Sequence, residues 1–111
     1  MTGGIVIALY RPKPGQSGEL ESILAHHVPS LRREGLATSR PVLLLRSTVD
    51  GSYLEIFEWI DPEAAERAHT NEHVRAIWAS ITEVADVLRL ADLAEAEDRF
   101  PHFEAVEELV I

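Results

Sequence analysis

A chain of 111 residues, 46% apolar and 26% charged, is long enough to bury one core and too short for two, so residues 1–111 read as a single globular domain. It contains no cysteine, which excludes a disulfide framework, a thiolate nucleophile and a thiolate metal site. The net charge of −9 lies wholly in the second half, where residues 61–111 carry thirteen acidic against four basic side chains while residues 1–60 balance six against six; such a surface repels phosphate and speaks against nucleic acid or an anionic membrane as a partner.

The first element is the run IVIALYR, Ile5 to Arg11, apolar at nearly every position. Such a run predicts a strand covered on both faces. It is far too short to span a bilayer, as is PVLLL further on. MTGGIVIALY also lacks the basic region and cleavage site of a secretory leader, and a cytoplasmic location is expected. PKPGQSG then breaks the strand with two prolines and two glycines. From about Gln16 a helix is expected, with Leu20, Ile23, Leu24, His27 and Leu31 in one stripe of period 3.6. Pro29 falls within it, and Gly35 followed by Leu36 supplies a left-handed stop.

The second strand, Arg40 to Ser47, again shows no alternation. Asp50-Gly51 predicts a tight turn into the third, YLEIFEWI. That strand does alternate: Tyr53, Glu55, Phe57 and Trp59 share one face, and Leu54, Ile56, Glu58 and Ile60 the other. Asp61-Pro62-Glu63 predicts a capped helix start. Thr70-Asn71 predicts a second cap, with Val74, Ile77, Trp78, Ile81, Ala85 and Leu88 as the buried stripe of the helix that follows. A last strand is expected around His102 to Val106, with Pro101 at its beginning or edge.

The order strand, helix, strand, strand, helix, strand is the ferredoxin-like βαββαβ pattern, an α+β fold with a four-stranded antiparallel sheet and helices on one face. Two strands nonetheless read as covered on both faces. The expected cover for the open face is a second copy of the same sheet, so a homodimer about a two-fold axis is predicted.

The segments IALYRPKPG, LRREGLATSRPVLLLR, GSYLEIFEWIDPEAAERAH and VRAIW resemble the antibiotic biosynthesis monooxygenase-like group of dimeric α+β barrels. The likeness spans roughly residues 4–106 and is sharpest from Glu58-Trp59 through the Ala-rich helix to His69. It implies a dimer with a pocket between sheet and helices in each subunit. It also implies a choice among oxygenation of polycyclic phenols without metal or organic cofactor, haem degradation, and no catalysis at all. Two departures from the haem-degrading branch count against haem: IVIALYR contains no Asn, and AIWAS stands where that branch places its ligand His.

The residues themselves offer several candidate sites. His69 and His73 stand four apart, a spacing that could hold a metal on one helix. The cap at Thr70-Asn71 puts them on separate helices, however, and Glu72 points away from both. No metal is expected. His27, inside an apolar stripe, is either a hydrogen-bonded core residue or a general base at a pocket. His26 lies about 100° round the helix and is expected in solvent. Tyr53, Phe57, Trp59 and Trp78 are candidate pocket walls. On the face of Tyr53, Phe57 and Trp59, Glu55 is either the placed polar group of a pocket or an exposed residue beside aromatic packing at the dimer interface. Glu58 is a further pocket candidate and needs a partner, for which Arg11, Arg46 or a histidine could serve. No nucleophile elbow, phosphate loop or dinucleotide fingerprint is present.

The expectation that results is a cofactor-independent monooxygenase-like enzyme acting on an aromatic or polyketide-type compound. His27 or His69 would take the proton and aromatic residues would hold the ring. The alternative is a non-catalytic homodimer that binds a small apolar ligand or serves as an assembly module.

Overall fold

A computed structural model describes residues 1–107. Five strands form one antiparallel sheet in the order β4-β1-β3-β2-β5. Strand β1 is Ile5–Pro12, β2 Leu43–Arg46, β3 Tyr53–Glu58, β4 Ala85–Val87 and β5 Glu104–Ala105. Three helices accompany them: α1 Ser17–Arg33, α2 Ala64–His69 and α3 Glu72–Val84. No described helix is long and apolar enough to cross a membrane.

Helix α1 runs through Pro29 and ends as its sequence requires. Gly35 adopts φ +72° and donates to Arg32, while Leu36 donates back to Leu31 and buries its side chain. Two otherwise orphaned carbonyls are thereby satisfied. The hairpin between β2 and β3 turns at Gly51, φ +76°. The Ser47 hydroxyl accepts from the amides of Val49 and Asp50, and the Asp50 carboxylate accepts from Ser52.

Helices α2 and α3 are separate. Asn71 sits in the extended region and its side chain accepts from the Val74 amide at 3.1 Å, as an N-cap does. Helix α2 begins two residues later than Asp61-Pro62 suggested, because the Asp61 carboxylate first accepts from the Glu63 amide and closes a turn.

Two expectations are corrected. The sheet has five strands rather than four, because the second long helix stops at Val84. Ala85 to Val87 pair with Pro12 to Tyr10, and Leu88 continues with a bond to the Leu9 carbonyl. Ala85 and Leu88 therefore leave the helical stripe: pairing satisfies the backbone of β1 along its free edge, which another helical turn would leave open. The strand expected at His102 to Val106 shortens to Glu104–Ala105 and pairs with β2 at the opposite edge.

Helices and sheet enclose two groups of buried side chains. One joins Leu20 and Leu24 of α1 to Leu44, Tyr53, Ile81 and Val106. The other joins Val28 and Leu31 to Phe57, Ala64, Ala68 and Val74.

On the far face of the sheet two aliphatic rows cross β1, β3 and β2. Leu9, Leu54 and Leu45 lie in register and are covered by Leu93, with Leu88 and Phe103 packed beside them. The row Ile7, Ile56 and Leu43 has no such cover among the described residues: Ile5, Ile7, Leu43 and Ile60 are all exposed.

The α2–α3 junction supplies the first prediction. Asn71→Ala should lower the unfolding free energy by about 1 kcal/mol in chemical denaturation, with the helical content of the folded state retained; a loss of helix signal under native conditions would contradict this account of the junction.

Candidate active site

The helix-facing side of the sheet holds a cavity of about 390 Å³. Its floor is Val6, Ala8 and Tyr10 of β1 with Phe57 of β3 and Trp59 just beyond it. Its other walls are His27 of α1, His69 of α2, Trp78, Ile81 and Thr82 of α3, and Val87 of β4. Alternation puts Val6, Ala8 and Tyr10 on one side of β1, and their register partners Phe57, Glu55 and Tyr53 share that side on β3.

The backbone around Trp59 is tightly held. Its amide donates to the Gly4 carbonyl and its own carbonyl accepts from Gly3. A Cβ on Gly3 would lie 2.2 Å from the Asp61 carbonyl oxygen and 2.6 Å from the Trp59 Cβ, so that position admits only glycine.

Three polar groups of the cavity wall, with the Glu55 carboxylate behind them, form one chain. The Trp78 indole donates to His27 Nε2 at 3.0 Å. His27 Nδ1 lies 2.9 Å from Glu55 Oε1, and the Tyr10 hydroxyl donates to the same oxygen at 2.9 Å. Indole N–H is a donor only, so His27 Nε2 is the acceptor and the imidazole proton sits on Nδ1, directed at Glu55. His27 is therefore neutral in this arrangement. It presents a single lone pair on the cavity side and is backed by a carboxylate, the ordering of base and orienting group found in catalytic triads. Phe57 meets the imidazole edge-on, with ring centroids 5.9 Å apart.

Of the two alternatives for Glu55, the structure supports the buried one. It is fully buried, not exposed, and its Oε2 has no hydrogen-bond partner among the described residues. Desolvating a carboxylate is costly, and leaving one oxygen unsatisfied adds to the cost. A buried carboxylate oxygen left unsatisfied beside a cavity calls for an explanation, and a role in the chemistry of the site is one. The signal in the sequence was an acidic residue between two aromatic ones on a strand face that the helices must cover.

The remaining candidates divide by position. His27, Phe57, Trp59, Trp78 and His69 all border the cavity. His69 is itself exposed and sits at the rim, its ring edge-on to Trp78 at a centroid separation of 5.0 Å. His73 lies on α3 in an outer surface groove with Glu72 and Arg33, so the two histidines of that segment share no face. His26 is exposed on the outside of α1.

Tyr53 shares the inward face but does not reach the cavity; its hydroxyl bonds to the Glu21 carboxylate and lies within reach of Arg46. Glu58 also lies outside the cavity, on the far face. It is held by Thr38, Arg40 and Thr2 rather than by Arg11, Arg46 or a histidine. The Thr38 bond above all, with Arg40 beside it, keeps its carboxyl below the usual range. Both corrections have one cause, since long side chains choose partners from neighbouring elements that strand alternation does not identify.

Burial pushes the Tyr10 hydroxyl well above its ordinary pKa, and the Glu55 charge and hydrogen bond add to that. Burial and the Glu21 bond raise Tyr53 as well, with Arg46 opposing. These two are the only tyrosines in the chain. Each is a donor at neutral pH, never a base.

A folded-state pKa above the unfolded value gives stability that is complete below about pH 10 and declines as pH rises past it, because the unfolded tyrosines then ionise while the folded ones do not. Tyrosinate absorbance should therefore stay low through about pH 10 and appear together with unfolding. Tyr10→Phe and Tyr53→Phe should each remove part of the alkaline loss of stability; normal ionisation of both phenols in the folded state would contradict this.

No family model matches the chain, and no curated protein matches it. Among solved structures it is similar to SnoaB, a cofactor-independent oxygenase from Streptomyces nogalater, with a TM-score of 0.62 and 21% identity over 76% of this chain and 85% of that one. The chain thus has the α+β fold of that oxygenase, in agreement with the fold that its sequence resemblance implied.

Proposed function

We propose that the chain is a cofactor-independent oxygenase that acts in the cytoplasm on an aromatic or polyketide-type compound in the cavity between sheet and helices. The observation that carries this reading is a neutral imidazole, backed by a fully buried carboxylate, at the wall of an otherwise apolar cavity. The fold shared with a cofactor-independent oxygenase supports it. Apolar walls with a few placed polar groups suit a flat ring system, and Phe57, Trp59 and Trp78 supply aromatic contact.

His27 Nε2 takes the proton of a phenol, or of the acidic C–H of its keto tautomer. The resulting imidazolium is stabilised by Glu55, to which its other nitrogen already donates. The electron-rich carbanion then reduces dioxygen by forming a C–O bond, and the peroxide oxygen regains the proton from His27. Loss of water from the hydroperoxide leaves a carbonyl, so the substrate supplies every electron. Excluding bulk water from the apolar site protects the anion from reprotonation. His69, at the rim, takes the second role of contacting the incoming ring.

Oxygen uptake with dihydroxyanthracene-type phenols tests this directly. The wild-type protein should accelerate uptake. His27→Ala and Glu55→Gln should each reduce turnover on the order of a hundredfold or more with the fold retained. If no such phenol is consumed and the substitutions change only stability, the protein is a non-catalytic binder of small apolar ligands.

The uncovered row Ile7, Ile56 and Leu43, flanked by Ile5 and Ile60, supports the further reading that the working form is a homodimer joined through this sheet face. Sedimentation at micromolar concentration should give twice the 12.4 kDa chain mass, and Ile7→Glu should give a folded monomer. A wild-type monomer would overturn the dimer without touching the chemistry.

A further inference from the structure

His27 has one lone pair directed to the cavity side, and the Trp78 indole already occupies it. We infer that this indole N–H is a displaceable latch, and that the site admits a ligand whose hydroxyl donates to His27 in its place. The inference rests on the reading of His27 as the cavity's base and names the chemistry that such a base can recognise.

Of the two partners, Trp78 is the one able to yield. His27 is 2% exposed and is fixed by Glu55 on one side and by the edge contact with Phe57 on another. Trp78 is only half-buried. Its ring neighbour on the outer side is His69, itself exposed and close to the α2–α3 junction. Rotation of the indole toward the rim breaks one neutral hydrogen bond, whereas rotation of the imidazole would leave the buried Glu55 with the Tyr10 hydroxyl as its only donor.

The selectivity follows from the tautomer. The sole N–H of His27 points at Glu55, so toward the cavity this residue can only accept. A phenol or enol hydroxyl can replace the indole N–H bond for bond. A quinone, an ether or a carboxylate cannot, and such a ligand leaves the latch closed or leaves His27 unpaired in an apolar wall. Specificity of this kind rejects the analogue that lacks the donor more strongly than a purely apolar pocket would.

Unreactive probes separate this from the oxygenase reading. Naphthol and its methyl ether differ by the single donor, and the chain has two tryptophans, whose indole N–H resonances can be assigned with Trp59→Phe. In the free protein the Trp78 resonance should show a hydrogen-bonded shift and His27 the Nδ1–H tautomer in nitrogen NMR. Naphthol should abolish the Trp78 shift. The ether should leave that shift in place and bind about threefold more weakly, since naphthol exchanges the indole bond for its own rather than adding one.

Trp78→Phe, which keeps a ring but removes the latch, should tighten naphthol relative to the ether by about three- to tenfold. The inference is overturned if naphthol binds with the Trp78 bond intact, if naphthol and ether bind equally, or if neither binds the folded protein. Should Trp78→Phe fail to fold, the wild-type resonances decide alone. Latch opening without oxygen uptake would sink the oxygenase and keep the latch; uptake with the Trp78 bond still made would do the reverse.

Discussion

Glu55 Oε1 is the atom on which the cavity side of the fold depends. It accepts from Tyr10 on β1 and faces His27 on α1, and through His27 it reaches Trp78 on α3. One carboxylate on a central strand therefore fixes the neighbouring strand and both long helices relative to one another. Such a group adds little to stability, because the cost of desolvating it offsets much of what its bonds return. Its effect is directional. An apolar core would hold the same elements together with more freedom in the imidazole ring, and that ring must not turn if it is to act as a base.

The order of the proton donors along this chain limits the chemistry. Tyr10 is held protonated by burial and by Glu55, so it steadies the carboxylate and removes no proton from a ligand. His27 keeps its proton on the Glu55 side. Along this chain of bonds the one basic nitrogen left is His27 Nε2, and the structure places an indole N–H there. On the proposed reading, resting and working states differ in who occupies a single lone pair, a smaller change than the movement of a loop or lid.

Much of the fold could be read along the chain because it is written in local patterns. Gly35-Leu36 stops α1, Asn71 starts α3, and Asp50-Gly51 turns the hairpin, each through bonds spanning a few residues. The alternation of β3 placed Tyr53, Glu55, Phe57 and Trp59 on one face correctly. The environment of Glu55 was not legible, since its partners lie 45 and 28 residues away and Trp78 lies 51 residues from His27. A lone acidic residue among aromatic ones reads as exposed as readily as pocket-lining, because unpaired carboxylates are rarely buried. Strand β4 was missed for another reason: three residues are too few to show a period of two, and Ala85 and Leu88 also fit the helical stripe of α3.

The two faces of the sheet show how one strand pattern serves two ends. Alternation along β1 sends Val6, Ala8 and Tyr10 to the cavity and Ile5, Ile7 and Leu9 to the far face. Among the described residues, the C-terminal half covers the Leu9 row through Leu93 and leaves Ile7 and Leu43 exposed. A continuous apolar β1 therefore has three neighbours to satisfy: a ligand space, a folded-back segment, and an open aliphatic strip. Its lack of alternation is the record of that triple demand. A substitution at Ile7 should consequently be felt at the sheet's outer face while leaving Tyr10, Glu55 and His27 in place, because the side chains of a strand divide between faces even where its backbone serves both.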